Sequence, residues 1–201
     1  MTQHAVHNAQ KADHQPWSRI NRIDWTFLPR KVQSGTYRES DWTFLRRKVQ
    51  SNCTANQMNP GISIRLATPD DAQVLARLNE GFNGIVEPAD RLAQRLLDPR
   101  RIEQPILAEI AGQAVGFAAL RLASGLFYDT PYAELTELYI EPAFRRQGVG
   151  RALIDTVERL AREAGAKNLV LLTDFDNNAA QSLYREMGFV NHDLAMQKDL
   201  A

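Results

Sequence analysis

The residues with the clearest potential for chemistry form the segment Arg-Arg-Gln-Gly-Val-Gly-Arg, at positions 145–151. Its two glycines allow a tight turn and place no Cβ in the way of a ligand. An apolar, strand-forming run precedes the segment, and a helical pattern follows it. The first turn of a helix exposes unpaired N–H groups at its positive dipole end, and the arginines add full charge. We therefore predict a strand–loop–helix unit that binds a phosphate or pyrophosphate group.

Other interpretations of this segment are an ordinary strand-to-helix turn with solvated arginines, or a different phosphate loop. The G-x-x-x-x-G-K-[ST] motif is absent, and the G-x-G-x-x-G fingerprint lacks its third glycine because Leu153 occupies that position.

Two motifs in the chain resemble the GNAT acetyltransferase superfamily. Arg145-x-x-Gly148-x-Gly150 is similar to the superfamily's Q/R-x-x-G-x-G/A signature, and the preceding E-L-Y-I-E-P resembles its central strand. Further along, positions 177–189 are similar to its N-x-x-A-x-x-L-Y-x-x-x-G-F segment. The resemblance extends from about Ile62 to the C-terminus. It implies direct transfer of an acetyl group from acetyl-CoA to a primary amine, and a sheet that opens beside its central strand.

The resemblance also implies which residues bind acetyl-CoA. The central strand would pair with the pantetheine arm, the glycine loop would hold the pyrophosphate, and an asparagine would contact the arm, although capping of its own helix explains that asparagine nearly as well. The predicted cofactor-binding residues are Leu138, Tyr139, Ile140, Arg145, Arg146, Gln147, Gly148, Val149, Gly150, Arg151 and Asn177.

Two residues are predicted to be catalytic by the same resemblance. Tyr184 occupies the position of the superfamily's tyrosine acid, and a phenol can protonate a departing thiolate. Glu134 lies eleven residues before Arg145, where some members carry a catalytic glutamate. Glu137 is the second candidate for the base, and an ordered water is a third. Strand alternation places the two glutamates on opposite faces unless a bulge intervenes.

The acceptor is predicted from charge alone. Acidic residues at strand ends and in loops, namely Asp129, Glu134, Asp174 and Asp176, favour a small cationic amine such as an aminoglycoside, a polyamine or a lysine-like amine, but a merely acidic surface explains them equally well. The loops at 82–87 and 124–132 would hold the acceptor specificity. A non-catalytic acetyl-CoA-binding module and a protein N-terminal or lysine acetyltransferase are the alternative functions.

Composition limits the remaining partners. The formal net charge is zero, which gives no indication of nucleic acid or a membrane surface as a general partner. One cysteine, Cys53, excludes an internal disulfide and a cysteine-based zinc site, and the four histidines form no metal-binding pattern. No apolar run approaches the ~20 residues of a membrane span. We expect a cytoplasmic protein without a bound metal, and the resemblance makes a homodimer plausible.

The chain is predicted to divide near Met58. Residues 1–57 carry nine Lys or Arg and four Asp or Glu, contain all three tryptophans, and repeat the segment D-W-T-F-L-x-R-K-V-Q-S. We interpret them as a disordered extension, either a basic-aromatic docking arm or a duplication without consequence. Residues 58–201 would form the catalytic domain.

Hydrophobic periodicity in this domain predicts an α/β (α+β) fold with a mixed sheet and the order β-α-α-β-β-β-α-β-α-β-β. The strands are expected at 62–66, 106–110, 114–122, 132–141, 168–173, 189–190 and 194–198. The helices are expected at 68–81, 88–97, 148–164 and 177–186.

Overall fold

The computed structural model describes residues 61–200. Within that range the chain forms β1 (Ile62–Leu66), α1 (Ala72–Asn83), α2 (Ala89–Leu97), β2 (Glu103–Ile110), β3 (Gln113–Ala123), β4 (Tyr132–Ile140), α3 (Val149–Glu163), β5 (Leu169–Leu171) and α4 (Asn178–Glu186). The duplicated segment, Cys53 and the predicted boundary near Met58 lie outside the described residues.

The five strands form one mixed sheet in the order β1-β2-β3-β4-β5. The first four pair antiparallel, and β4 pairs parallel with β5. A parallel pair needs a long crossover connection, and α3 supplies it here. The predicted α/β fold class with a mixed sheet is confirmed.

Each face of the sheet packs against different helices, because successive strand residues point to opposite faces. One face and α3 bury a cluster that includes Ile106, Leu120, Leu135, Leu153 and Val157. The other face and the two N-terminal helices bury a smaller cluster that contains Leu75, Leu78, Leu96, Leu107, Phe117 and Tyr139.

A bidentate ion pair fixes the start of α1. Asp71 accepts hydrogen bonds from both terminal nitrogens of Arg65, at 2.7 Å each, and from the backbone N–H of Thr68 at 2.8 Å. The Arg65 guanidinium is the main cause that lowers the pKa of Asp71 to about 2.

The two short strands predicted at 189–190 and 194–198 are not formed. Val190, Leu194 and Met196 are 80%, 78% and 90% exposed, and of this stretch only Phe189 packs against the core. Apolar alternation produces a strand only where one face is buried against a partner. The predicted strand at 168–173 is also shorter, since β5 has three residues and Val170 is partly exposed.

Candidate active site

The loop between β4 and α3 has the open backbone that an anion site requires. Arg146 and Gly148 adopt positive φ angles of 62° and 88°. Gly148 is the N-cap of α3 and provides no side-chain cap, and the N–H of Ala152 bonds the Gly148 carbonyl. The N–H groups of the three residues between them therefore have no partner within the helix. The predicted turn and helix start are present in this loop.

The arginines of the loop have different surroundings. Arg145 donates from Nε to the Ile140 carbonyl at 2.9 Å, and its guanidinium lies 6.0 Å from the ring centre of Tyr139. Arg151 forms an ion pair of 3.2 Å with Glu186 and so connects α3 to α4. Arg146 is exposed and forms no ion pair within residues 61–200. Of the three, Arg146 is the arginine best placed to meet a bound anion.

The sheet opens between β4 and β5, next to this loop. The parallel ladder ends at Leu135, although β4 continues to Ile140. Glu141 donates to Val115 at 2.9 Å, and Gly116 lies opposite Ile140. In an antiparallel ladder, residues that bond the neighbouring strand alternate with residues that do not. The backbone groups of Tyr139 therefore point to β3, and those of Leu138 and Ile140 point to the opposite side. The Leu138 groups and the Ile140 N–H are thus open to an added strand, whereas the Ile140 carbonyl already accepts from Arg145.

Tyr139 does not lie with the other predicted cofactor-binding residues. Its backbone belongs to the β3–β4 ladder, and its buried ring packs beneath α1, 5.6 Å from the ring of Phe82. A Cβ added to Gly81 in that helix would lie 2.7 Å from the Tyr139 hydroxyl oxygen. Tyr139 therefore supports the loop indirectly, through its contact with Arg145.

The first turn of α3 packs between β4 and α4. A Cβ added to Gly150 would lie 3.0 Å from Cδ2 of Leu183 and 3.4 Å from Cδ1 of Ile140. The glycine thus permits the close approach of these three elements. Val149, which precedes it, is 1% exposed and can offer a ligand only its backbone. Gln147 donates from its side chain to the Ala143 carbonyl at 3.1 Å, inside the loop.

Helix α4 carries the last two predicted site residues. Asn177 is its N-cap, and its side-chain oxygen accepts from the Ala180 N–H at 3.2 Å, so it does cap its own helix. The ring of Tyr184 lies 5.8 Å from that of Phe189. Burial raises the pKa of the Tyr184 hydroxyl above its ordinary value, which favours the protonated phenol.

A β-bulge in β4 determines where the two glutamates point. Ala119 pairs with Glu137 and Leu120 with Leu135, so Thr136 is an extra residue in the strand. Leu135 and Leu138 both contact the cluster beneath α3. Their neighbours Glu134 and Glu137 therefore both lie on the face that carries the N-terminal helices.

Glu134 is engaged in an ion pair on this face. Its Oε2 accepts from Arg121 at 2.9 Å, and its side chain is 12% exposed. Arg121 also donates to Glu103 at 2.8 Å, so one guanidinium bridges β2 and β4. Sequence reasoning missed Arg121, but a lone charged residue in the otherwise apolar 114–122 run was a usable signal.

Unlike Glu134, Glu137 forms no ion pair among the described residues. Burial is the main cause that raises the pKa of Glu137, the negative charge of Glu103 adds to it, and a hydrogen bond with Asn83 at the end of α1 partly opposes it. Asp129, Asp174 and Asp176, the other acidic residues of the predicted acceptor cleft, are exposed loop residues.

In residues 61–200, no three or more His, Cys, Asp or Glu side chains form a group that could hold a metal ion. Among the helices of the same range, none has the length and apolar character to cross a membrane.

Comparison with known proteins identifies relatives by sequence and by fold. Residues 73–189 match the acetyltransferase (GNAT) family. The chain is 33% identical over 133 residues to "Aminoglycoside N(6')-acetyltransferase type 1" of Stenotrophomonas maltophilia, which covers 63% of this chain and 85% of that protein. An aminoglycoside acetyltransferase from an uncultured soil metagenomic sample, solved in complex with sisomicin, has a TM-score of 0.63 at 16% identity, covering 71% of this chain and 97% of that one. An aminoglycoside N-acetyltransferase solved with CoA has a TM-score of 0.58 at 21% identity, covering 70% and 95%.

Proposed function

This chain belongs to the GNAT family of acetyltransferases, and we propose that it transfers the acetyl group of acetyl-CoA to a primary amine of a small cationic molecule. The reaction would be a direct attack of the amine within a ternary complex. The relative from Stenotrophomonas maltophilia is named for an aminoglycoside acceptor, and one structural neighbour was solved with sisomicin, which supports an acceptor of that chemical class.

The opening between β4 and β5 carries the assignment of acetyl-CoA as co-substrate. Unpaired backbone groups at Leu138 and Ile140 fit the amides of a pantetheine arm, and the uncapped N-terminus of α3 with Arg146 fits a pyrophosphate. The neighbour solved with CoA agrees with this use. The N–H of Ile140 would also be available to polarise the thioester carbonyl.

Tyr184 is proposed as the acid for the departing sulfur. The amine nitrogen forms a bond to the acetyl carbon, the carbon–sulfur bond breaks, and the phenol gives its proton to the sulfur. The nitrogen loses a proton in the same step, and that proton returns the phenolate to phenol. The net products are the N-acetyl amide and the free thiol of CoA.

The acceptor amine would lie on the face that carries Glu134 and Glu137. The carboxylates of Glu103, Glu134 and Glu137 surround the guanidinium of Arg121, so the local charge at this part of the face is negative, which favours a cation. We further propose that residues 58–201 form the catalytic domain, so a variant that starts at Met58 should keep its activity.

A thiol-release assay tests the proposal. The purified protein is incubated with acetyl-CoA and, in separate reactions, sisomicin, spermidine, a lysine-containing peptide or no amine. We expect release of free thiol with at least one small cationic amine and none in the absence of amine. Release with the peptide alone would support the protein-acetylating alternative. Tight binding of CoA without thiol release on any amine would contradict the proposed reaction.

A further inference from the structure

The position of the reactive carboxylate follows from the bulge at Thr136. Without an extra residue, Glu134 and Glu137 would point to opposite faces, and only one could meet an acceptor. The bulge brings both to the face of Phe117, Tyr139 and the N-terminal helices. Two carboxylates therefore lie on the face proposed for the acceptor amine, and the side chains that each one contacts distinguish them.

Arg121 is shared between carboxylates on the strands to either side of it, at 2.8 Å from Glu103 and 2.9 Å from Glu134. The Glu134 carboxylate is therefore already engaged by a guanidinium, and its side chain, at 12% exposure, has little room to meet a second cation. Glu137 lies within the electrostatic range of the same guanidinium but forms no ion pair with it among the described residues.

We propose that Glu137, rather than Glu134, takes the proton from the acceptor's ammonium group, and that Glu134 is a positioning residue that holds Arg121 away from it. The inference rests on the proposed function. One N–H bond of the ammonium breaks, the proton moves to a carboxylate oxygen of Glu137 and then to solvent, and the neutral amine keeps the electron pair that attacks the acetyl carbon.

The charges around Glu137 fit this role. Glu103 on β2 opposes its ionisation and Arg121 on β3 favours it, while α1 contributes the neutral amide of Asn83. Because burial and Glu103 together outweigh the favourable contacts, the pKa of Glu137 lies above the ordinary value of a glutamate. A base is more effective when its pKa approaches the working pH.

The test compares Glu137→Gln with Glu134→Gln in the full chain, using the amine that gives the greatest thiol release in the wild type. We expect Glu137→Gln to lower kcat/KM by about 10²-fold or more and to abolish the acid limb of its pH profile. Glu134→Gln should keep an acid limb in its pH profile, because it leaves the proposed base in place. It should move the acid limb to lower pH, because the released Arg121 can turn to Glu137.

Two controls separate this inference from the proposed function. CoA affinity, measured by calorimetry, should be the same in both variants, which shows that the fold is intact. Carbon-13 NMR of the glutamate carboxyls needs no acceptor: the resonance lost in Glu137→Gln should titrate at a higher pH than an ordinary glutamate. Titration of that resonance at or below the ordinary pKa of a glutamate, or an acid limb that survives Glu137→Gln and disappears in Glu134→Gln, would overturn the assignment of the base. Absence of thiol release in the wild type would instead contradict the proposed function.

Discussion

Replacement of Gly148 by alanine should have two distinct effects: backbone strain should lower the thermal stability, and the altered loop should bind CoA more weakly. Gly148 has a φ of 88°, beyond the left-handed well that residues with a Cβ tolerate. Adopting such a conformation costs an alanine about 1–2 kcal/mol. For a chain of this size, each kcal/mol corresponds to a fall in Tm of about 2–4 °C. We expect Gly148→Ala to melt about 2–8 °C below the wild type in the absence of ligand.

The same substitution should weaken CoA binding more than strain alone explains. If the backbone relaxes towards negative φ, the N–H groups at the start of α3 turn away from the pyrophosphate. Hydrogen bonds to a charged group are worth about 1.5–3 kcal/mol, which corresponds to about a tenfold to hundredfold loss of affinity by calorimetry.

A matched control lies at the other end of the same helix. Gly165 has nearly the same φ, 87°, and an added Cβ would contact nothing within 4 Å. Gly165→Ala should therefore lose a similar amount of thermal stability and bind CoA as the wild type does. Wild-type CoA affinity in Gly148→Ala, or an equal loss of affinity in Gly165→Ala, would refute the assignment of the loop.

Three further outcomes are expected. Tyr184→Phe should lower kcat by about 10²-fold with little change in CoA affinity, because only the proton donor is lost; steady-state kinetics and calorimetry check this. Asp71→Asn should cost about 2 kcal/mol near neutral pH, since Arg65 lowers the folded pKa of Asp71 to about 2. That contribution is present above the ordinary pKa of an aspartate and is lost as the pH falls through the folded value, so urea unfolding of both proteins should converge near pH about 2. Gly81→Ala should destabilise the protein by about 1–2 kcal/mol, because the new methyl group meets the Tyr139 hydroxyl; adding Tyr139→Phe should restore part of the loss in the same urea assay.

The strand–loop–helix unit could be predicted because residues close together in the sequence determine its structure. Pro142 ends the strand pattern, the glycines specify the turn, and the apolar residues from Val149 to Leu160 repeat at helical spacing. The structure places α3 at Val149–Glu163, within one residue of the prediction at each end. The hairpin at Gly112 was predictable for the same reason, because a residue with a φ of 78° favours glycine.

The end of the chain shows where local patterns fail. Leu194 and Met196 lie two residues apart, as side chains on one face of a strand do, yet both are exposed. Alternation reports only that a segment could cover an apolar face, and a strand forms when a neighbour with unpaired backbone groups lies beside it. With three residues in β5, the sheet offers a short edge, and the sequence contains no sign of that length.

The choice between Glu134 and Glu137 depends on a long-range feature that the sequence does not carry. Thr136 is a normal strand residue, and only its register against Ala119 and Leu120 makes it a bulge. One extra residue reverses the face of every side chain beyond it. Alternation therefore holds within each half of β4, and the bulge, an exception that the prediction allowed for, places both glutamates on one face. Because the bulge lies between the two glutamates, our proposal of Glu137 as the base depends on the arginine opposite Glu134 on β3 and not on spacing along the chain.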